Sequence, residues 1–468
     1  MKIIPQQIGL IHFVGIGGIG MSGIAEILLA FGFKVSGSDI TENNNVKRLK
    51  AKGAEIFVGH VASNIGENVA AVVISSAIKK NNPELKMAIA RKIPIVHRSE
   101  MLAELMKLKK SISIAGTHGK TTTTSLVATI FETALLDPTV INGGIINLYQ
   151  SNAKFGSGDY VIVESDESDG SFLRLPSDIV VVTNIDEEHM EHYKTKEILY
   201  QSFKDFVQNI PFYGLGVICY DHPVARKLLK DVKNRELISY GFSRGADVRA
   251  INVEHLKGRE RFDVVAKIGE KQLTIENVEL AIFGEHNILN ALAAISVALR
   301  IGINVEAITT ALVNFSGVKR RFTRVGNVKG AEIIEDYGHH PVEIAKVLKA
   351  ARYIADNRVI AVFQPHRYSR VKNLFTGFCQ CFTDADVVFI TDIYAASEKE
   401  IKGVDKHSLV KGIKKHGKKG EVFALSSPEE IKDYLAKNLT AGDYVVFLGA
   451  GNINQWAYDL YNSFQKEG

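Results

Sequence analysis

The chain has 468 residues, 46% hydrophobic and 23% charged, a globular composition too long for one ordinary core. Its 57 basic and 52 acidic residues leave a formal +5, which gives nucleic-acid binding little support. Three cysteines (Cys219, Cys379 and Cys381) make no disulfide framework or zinc spacing, no apolar stretch reaches the ~18–20 residues that span a bilayer, and no secretory h-region follows Met1–Pro5. A cytoplasmic protein without membrane insertion is expected, and the lysine run Lys411–Lys419 reads as a solvated helix end or loop.

The first domain is expected over residues 1–107. Ile8–Val14 is an apolar strand, Gly15-Ile-Gly-Gly-Ile-Gly20 follows at once, and Met21–Phe31 has helical spacing. Gly15, Gly17 and Gly20, with Gly18 between them, therefore satisfy G-x-G-x-x-G in a strand–turn–helix setting. Asp39 stands about 20 residues on, where a ribose-binding acid belongs. Such a loop holds a diphosphate-bearing nucleotide but does not say which. Further strands fit at 54–58, 69–75 and 93–96. Ser75 and Ser76 close one of them, at the edge where open α/β sheets bind ligands.

A second phosphate loop opens the central domain, expected over 108–318. Ser111–Ala115 is a strand, Gly116-Thr-His-Gly-Lys-Thr121 turns, and a helix follows from Thr122. Backbone N–H groups and a helix N-terminus suit phosphate oxygens, Lys120 supplies charge, and the Thr121 hydroxyl suits Mg²⁺. The loop is shorter than G-x-x-x-x-G-K-[ST], since Ile114 stands where the first glycine belongs. Two phosphate sites argue against a simple dehydrogenase. The strand Tyr160–Val163 ends in Glu164-Ser-Asp-Glu-Ser-Asp169, where like charges repel unless a cation or water relieves them; a solvated acidic loop is the plain alternative, and Glu164, the first, is the preferred metal ligand. After the strand 179–183 comes Asn184-Ile-Asp-Glu-Glu-His189, and His189 could ligate a metal or order its water. Residues 212–283 read as a β-rich hairpin extension. A helix follows Gly284-Glu-His-Asn-Ile-Leu-Asn290, where Asn290 could meet an adenine edge and Asn287 could cap the helix.

The third domain is expected over 319–468, with strands at 331–335, 358–363, 387–391 and 444–448. Polar residues again cluster at strand ends: Asp336-Tyr-Gly-His-His-Pro341, Gln364-Pro-His-Arg-Tyr-Ser-Arg370 and Gly449–Asn452. Arginines there suit bidentate contact with carboxylate or phosphate. The fold class expected is α/β with three domains: Rossmann-like, central P-loop ATPase-like, and Rossmann-like again.

Taken in order, these motifs, with Ser36–Asp39, resemble the ATP-dependent muramyl ligases that build the peptide stem of bacterial cell wall. The resemblance covers essentially the whole chain, and the short phosphate loop is that family's own form. It implies ATP and Mg²⁺ as cofactors, and UDP-N-acetylmuramate and L-alanine as small-molecule substrates, joined through an acyl phosphate in peptidoglycan synthesis. It implies a UDP-sugar at Gly15, Gly17, Gly18, Gly20, Asp39, Ser75 and Ser76. ATP is implied at Gly116, Thr117, His118, Gly119, Lys120, Thr121, Thr122, Asn290, Arg321 and Asp336, and metal at Thr121, Glu164 and His189. Lys120, His339, Arg367 and Arg370 are the implied catalytic residues, with the amino acid on the third domain, and the assembly expected is a monomer or weak homodimer. A recycling ligase that adds a preformed tripeptide to the same UDP-sugar remains the nearest alternative, and a nicotinamide-dependent dehydrogenase a remote one.

Overall fold

The computed structural model describes residues 8–256, 258–396, 398–416 and 420–467. Met1–Pro5, and Lys418 and Lys419 of the lysine run, lie outside the described residues. Three sheets, each flanked by helices, make an α/β protein of three domains. The described residues of Met1–Val253, Phe262–Leu280 and Ile288–Ser316 form one compact unit; Glu254–Arg261, Ala281–Asn287 and those of Gly317–Gly468 form a second.

The first sheet joins β1 (Leu10–Val14), β2 (Val35–Asp39), β3 (Glu55–Val58), β4 (Val69–Ile74) and β5 (Ile95–His97) in the order β3-β2-β1-β4-β5, all parallel. The order reverses beside β1, so the crevice past its carboxyl end, where Gly15–Gly20 lies, is the topological switch point. Helices α1 (Ile19–Ala30), α2 (Asn44–Ala51), α3 (Pro83–Ala90) and α4 (Arg98–Met106) connect the strands.

The second sheet has ten strands: β6 (Lys110–Ala115), β7 (Thr139–Ile146), β8 (Ser151–Lys154), β9 (Tyr160–Glu164), β10 (Ile179–Val182), β11 (Leu215–Cys219), β12 (Glu236–Gly241), β13 (Val248–Leu256), β14 (Arg259–Ile268) and β15 (Lys271–Leu280). Their order is β15-β14-β13-β12-β11-β10-β6-β9-β7-β8. Its helices are α5 (Lys120–Thr133), α6 (Met190–Tyr193), α7 (Lys196–Gln208), α8 (Pro223–Asp231), α9 (Glu285–Ile301) and α10 (Val305–Val313). Apolar residues of α1, among them Ile24 and Leu28, share one buried core with Ile141, Ala153, Val161 and Val163, so the first domain packs against β7–β9.

The expected hairpin extension over 212–283 is only half right. Strands β11 and β12 pair parallel with each other, and β11 pairs with β10, so both belong to the main sheet; α8 makes the crossover between them. Only β13–β15 make the extension, as the strands at one edge of that same sheet. A hairpin does form from β7 with β8, and the sequence does not disclose it because Asn142-Gly-Gly144 and Ser151-Asn-Ala-Lys154 carry no alternation.

The third sheet joins β16 (Thr323–Val328), β17 (Ala331–Asp336), β18 (Val359–Phe363), β19 (Val387–Ile390), β20 (Glu421–Ala424) and β21 (Tyr444–Leu448) in the order β16-β17-β21-β18-β19-β20. All are parallel except β16, which pairs antiparallel with β17. Helices α11 (Pro341–Ile354), α12 (Tyr368–Asn373), α13 (Phe375–Gln380), α14 (Lys406–Lys415), α15 (Pro428–Asn438) and α16 (Ile453–Glu467) cover it. No helix among the described residues is long and apolar enough to cross a membrane.

Candidate active site

Strand β6 delivers the chain to Gly116, and α5 starts at Lys120, two residues earlier than Thr122. Gly116 has φ +134° and Gly119, the residue before α5, has φ +82°. A Cβ at Gly116 would fall on Thr183 Oγ1, and one at Gly119 would lie 2.5 Å from Asn290 Oδ1. Both glycines are thus required by conformation and by close approach. The loop is held from below: His118 N–H donates to Asn184 Oδ1 at 2.7 Å, and the His118 carbonyl accepts from Thr183 Oγ1 at 2.7 Å and Asn184 Nδ2 at 2.9 Å. Thr117 Oγ1 accepts from Asp186 N–H at 2.8 Å, and His118 Nε2 lies 3.4 Å from Asp186 Oδ2. Thr122 is buried in the first turn of α5, and Thr123 Oγ1 reaches Asn290 Oδ1 at 3.2 Å. Asn290 therefore sits against the Gly116–Thr121 turn itself.

Lys120 Nζ donates to the Gly116 carbonyl at 2.5 Å, the Thr117 carbonyl at 3.2 Å and Glu167 at 2.9 Å. Burial opposes its charge, but Glu167, Glu164 and Asp166 outweigh burial and hold the ammonium up at about 12. Thr121 Oγ1 meets Glu164 Oε1 at 3.1 Å, and Gly143 N–H donates to Glu164 Oε2 at 2.7 Å. Glu164, the last residue of β9, thus faces the helix start.

His189 adopts φ +56° just before α6, which turns its ring toward two carboxylates: Nε2 lies 3.9 Å from both Glu167 Oε1 and Glu188 Oε2. Burial pushes the His189 pKa down despite Glu188, which favours the neutral imidazole that can ligate. Burial also pushes Glu167 up to about 7, Lys120 opposing and Asp166 adding to it. Ligand atoms of Glu167, Glu188 and His189 all lie within 4.8 Å of one another. Two carboxylates and a neutral imidazole fit a divalent cation. Glu167 and Glu188 were missed in the sequence, although Glu167 belongs to the acidic run and Glu188 adjoins His189.

In the first domain Gly17 N–H donates to Asp39 Oδ2 at 2.8 Å, and Asn43 and Asn45 donate to the Gly17 carbonyl at 3.2 and 2.9 Å. Asp39, read as a ribose ligand, holds the glycine loop here. Gly15 takes φ +79°, Gly18 N–H closes the loop on the Gly15 carbonyl, and Gly20 lies beside the Arg98 guanidinium. The Ser75 carbonyl accepts from Ile78 N–H, Ser76 Oγ donates to Asp169 at 2.8 Å, and Arg98 Nη2 donates to Asp166 at 2.9 Å. The acidic run after β9 is thereby tied to the first domain's strand ends.

The second unit gathers its own polar cluster past the carboxyl ends of β17, β18 and β21. Asp336 is buried and accepts from Phe322 N–H at 2.8 Å and Gly338 N–H at 2.6 Å; burial pushes it up to about 6, Arg321 opposing. The guanidinium groups of Arg320 and Arg321 lie 4.8 and 5.3 Å from the Tyr337 ring centroid, and Arg320 Nη2 donates to the carbonyls of Gly449 and Gly451. His339 lies edge-on to Tyr337 and 6.0 Å from the His366 ring, and Arg370 Nη1 lies 3.2 Å from His366 Nδ1. Arg367 precedes α12 at φ +67° and bonds through its N–H to the Tyr394 carbonyl at 2.9 Å. Asn287 is not a helix cap: α9 begins two residues earlier, and Asn287 Nδ2 donates to the Phe283 carbonyl at 2.6 Å.

Comparison with known proteins agrees with this layout. Residues 10–110 match the Mur ligase family catalytic domain, 114–298 the Mur ligase middle domain, and 320–451 the glutamate ligase domain of Mur ligases. A UDP-N-acetylmuramate–L-alanine ligase of Paramagnetospirillum magneticum is 53% identical over 98% of this chain and 97% of its own. One from Bradyrhizobium sp. is 52% identical over 99% of this chain and 100% of its own. The crystal structure of the UDP-N-acetylmuramate–alanine ligase of Thermotoga maritima superimposes with a TM-score of 0.82 at 27% identity, covering 98% of this chain and 100% of that one. The chain belongs to the Mur ligase family and is an ATP-dependent ligase.

Proposed function

We propose that this ligase joins L-alanine to the lactyl carboxylate of UDP-N-acetylmuramate in the cytoplasm, through an acyl phosphate, as a step of peptidoglycan synthesis. The observation that carries the ATP half is Lys120: a half-buried ammonium at a helix start, just after two glycines at positive φ, with Thr121 on Glu164. The names of the near-full-length relatives carry the substrates.

Residues 108–318 hold ATP at Gly116–Thr122, with Asn290 beside it. The lactyl carboxylate oxygen bonds to the γ-phosphorus as its bond to the ADP oxygen breaks, and Lys120 balances charge spread over the phosphoryl oxygens. The α-amine of L-alanine then attacks the acyl carbon, phosphate leaves, and the amine sheds a proton to water. Residues 1–107 hold the UDP-sugar on Gly15–Gly20, and residues 319–468 bind the amino acid with His339, Arg367 and Arg370. Glu164, with Thr121, and the Glu167–Glu188–His189 group would hold Mg²⁺, which when bound neutralises phosphate charge. A monomer or weak homodimer suffices.

ADP release is measured with UDP-N-acetylmuramate, ATP and one amine at a time. Turnover with L-alanine above glycine and L-serine is expected. Turnover with the stem tripeptide alone overturns the proposal in favour of the recycling ligase.

A further inference from the structure

The first domain contains a buried carboxylate that the mechanism does not use. Glu84, in the first turn of α3, is fully buried beneath the strand ends of its sheet. Its Oε1 accepts from Asn64 Nδ2 at 2.6 Å, and its Oε2 accepts from the Ser38 hydroxyl at 2.7 Å and lies 2.9 Å from His60 Nδ1. His12 Nε2, also fully buried, stands 3.6 Å from Oε1, and Ser36 Oγ lies 2.9 Å from His12 Nδ1. A carboxylate in an apolar sheet is costly unless it is fully hydrogen-bonded, so this group has a specific task.

Ser38, Glu84 and His60 have the residue types of a nucleophile–acid–base trio, but the geometry excludes that chemistry. One ring nitrogen, His60 Nδ1, faces both the Ser38 hydroxyl, at 2.9 Å, and Glu84, so no relay runs from serine through the ring to the acid. Ser38 is also fully buried and closed to a substrate.

Ser38 does something else. Its carbonyl accepts from Gly15 N–H at 2.8 Å and from Ile16 N–H at 2.9 Å, and its neighbour Asp39 accepts from Gly17 N–H. Three consecutive amides of the glycine loop are thus held by two consecutive residues of β2, and the first of those is fixed through its hydroxyl by Glu84. We infer that Glu84 is the positioning residue of the first glycine loop, locking Ser38 and thereby the backbone that cradles the diphosphate of the UDP-sugar. This rests on the proposed reading of that loop as the UDP-sugar site.

The test is isothermal titration of the full chain with UDP-N-acetylmuramate and, separately, with ATP. In Glu84→Gln the amide places a donor among donors, and Kd for the UDP-sugar should rise roughly ten- to a hundredfold with ATP affinity unchanged. Ser38→Ala removes only the linking hydroxyl and should shift the same affinity in the same direction by less; it serves if Glu84→Gln does not fold. Wild-type affinity for the UDP-sugar in the folded variants, or equal weakening of both ligands, overturns the positioning role. A wild-type chain that binds ATP but no UDP-N-acetylmuramate instead overturns the site reading, and the positioning role with it.

Discussion

The turn Gly116–Thr121 predicts its own most informative substitution, Gly119→Ala. At φ +82° an alanine pays about 1–2 kcal/mol in backbone strain. Its methyl would also lie 2.5 Å from Asn290 Oδ1, so the amide must retreat about 1 Å to reach ordinary carbon contact distance. That retreat breaks the 3.2 Å hydrogen bond from Thr123 Oγ1 in a buried site, a loss of about 1–2 kcal/mol. Together the change should destabilise the protein by about 2–4 kcal/mol. Asn290→Ala separates the two parts, because without the amide only the backbone strain remains. Urea titrations of wild type, both single variants and the double variant close the cycle, with an expected coupling of about 1–2 kcal/mol. An equal Gly119→Ala penalty in both backgrounds would refute the claim that Asn290 braces the loop. A wild-type urea midpoint for Gly119→Ala would refute the backbone claim as well.

The proposed metal site and the buried carboxylate give two more tests. Glu164→Ala takes the shared acceptor from Thr121 and Gly143, and the Mg²⁺ concentration for half-maximal ADP release should rise roughly tenfold; an unaltered titration removes Glu164 from the metal's surroundings. Burial opposes ionisation of Glu84, but His12 and hydrogen bonds from Asn64, Ser38 and His60 prevail and hold it below the usual 4.5. The stability it contributes is therefore present above pH 4.5 and lost as pH falls through its folded value. Acid titrations of the melting temperature should accordingly lose part of their steep limb in Glu84→Gln, and superimposable slopes for variant and wild type would contradict this.

What the sequence discloses here is backbone conformation, and what it conceals is partnership. Gly15–Gly20 and Gly116–Gly119 were legible because strand, turn and helix stand side by side in the chain and their glycines answer to local sterics. Lys120 and Thr121 followed, since a helix start fixes where its first side chains point. The acidic run was legible as a charge problem, but its solution was not. Asp166 and Asp169 each accept an amide two residues on, at Ser168 and Ser171, and the Glu167 carbonyl accepts from Gly170 N–H. This turn brings Glu167, not only the strand-terminal Glu164, to Lys120. Asp39 shows the same limit from the other side. Its spacing from the glycines was read as a distance to a ribose, yet that spacing also returns β2 beside β1 and puts the carboxylate on Gly17. The interval expected of a ribose contact is the one that makes this loop brace. Glu84 carries no local mark at all, since Asn-Pro-Glu at a helix start is ordinary capping chemistry. Its partners at positions 12, 38, 60 and 64 meet only when the sheet forms, so a residue whose work is to hold others in place is visible only after they are in place.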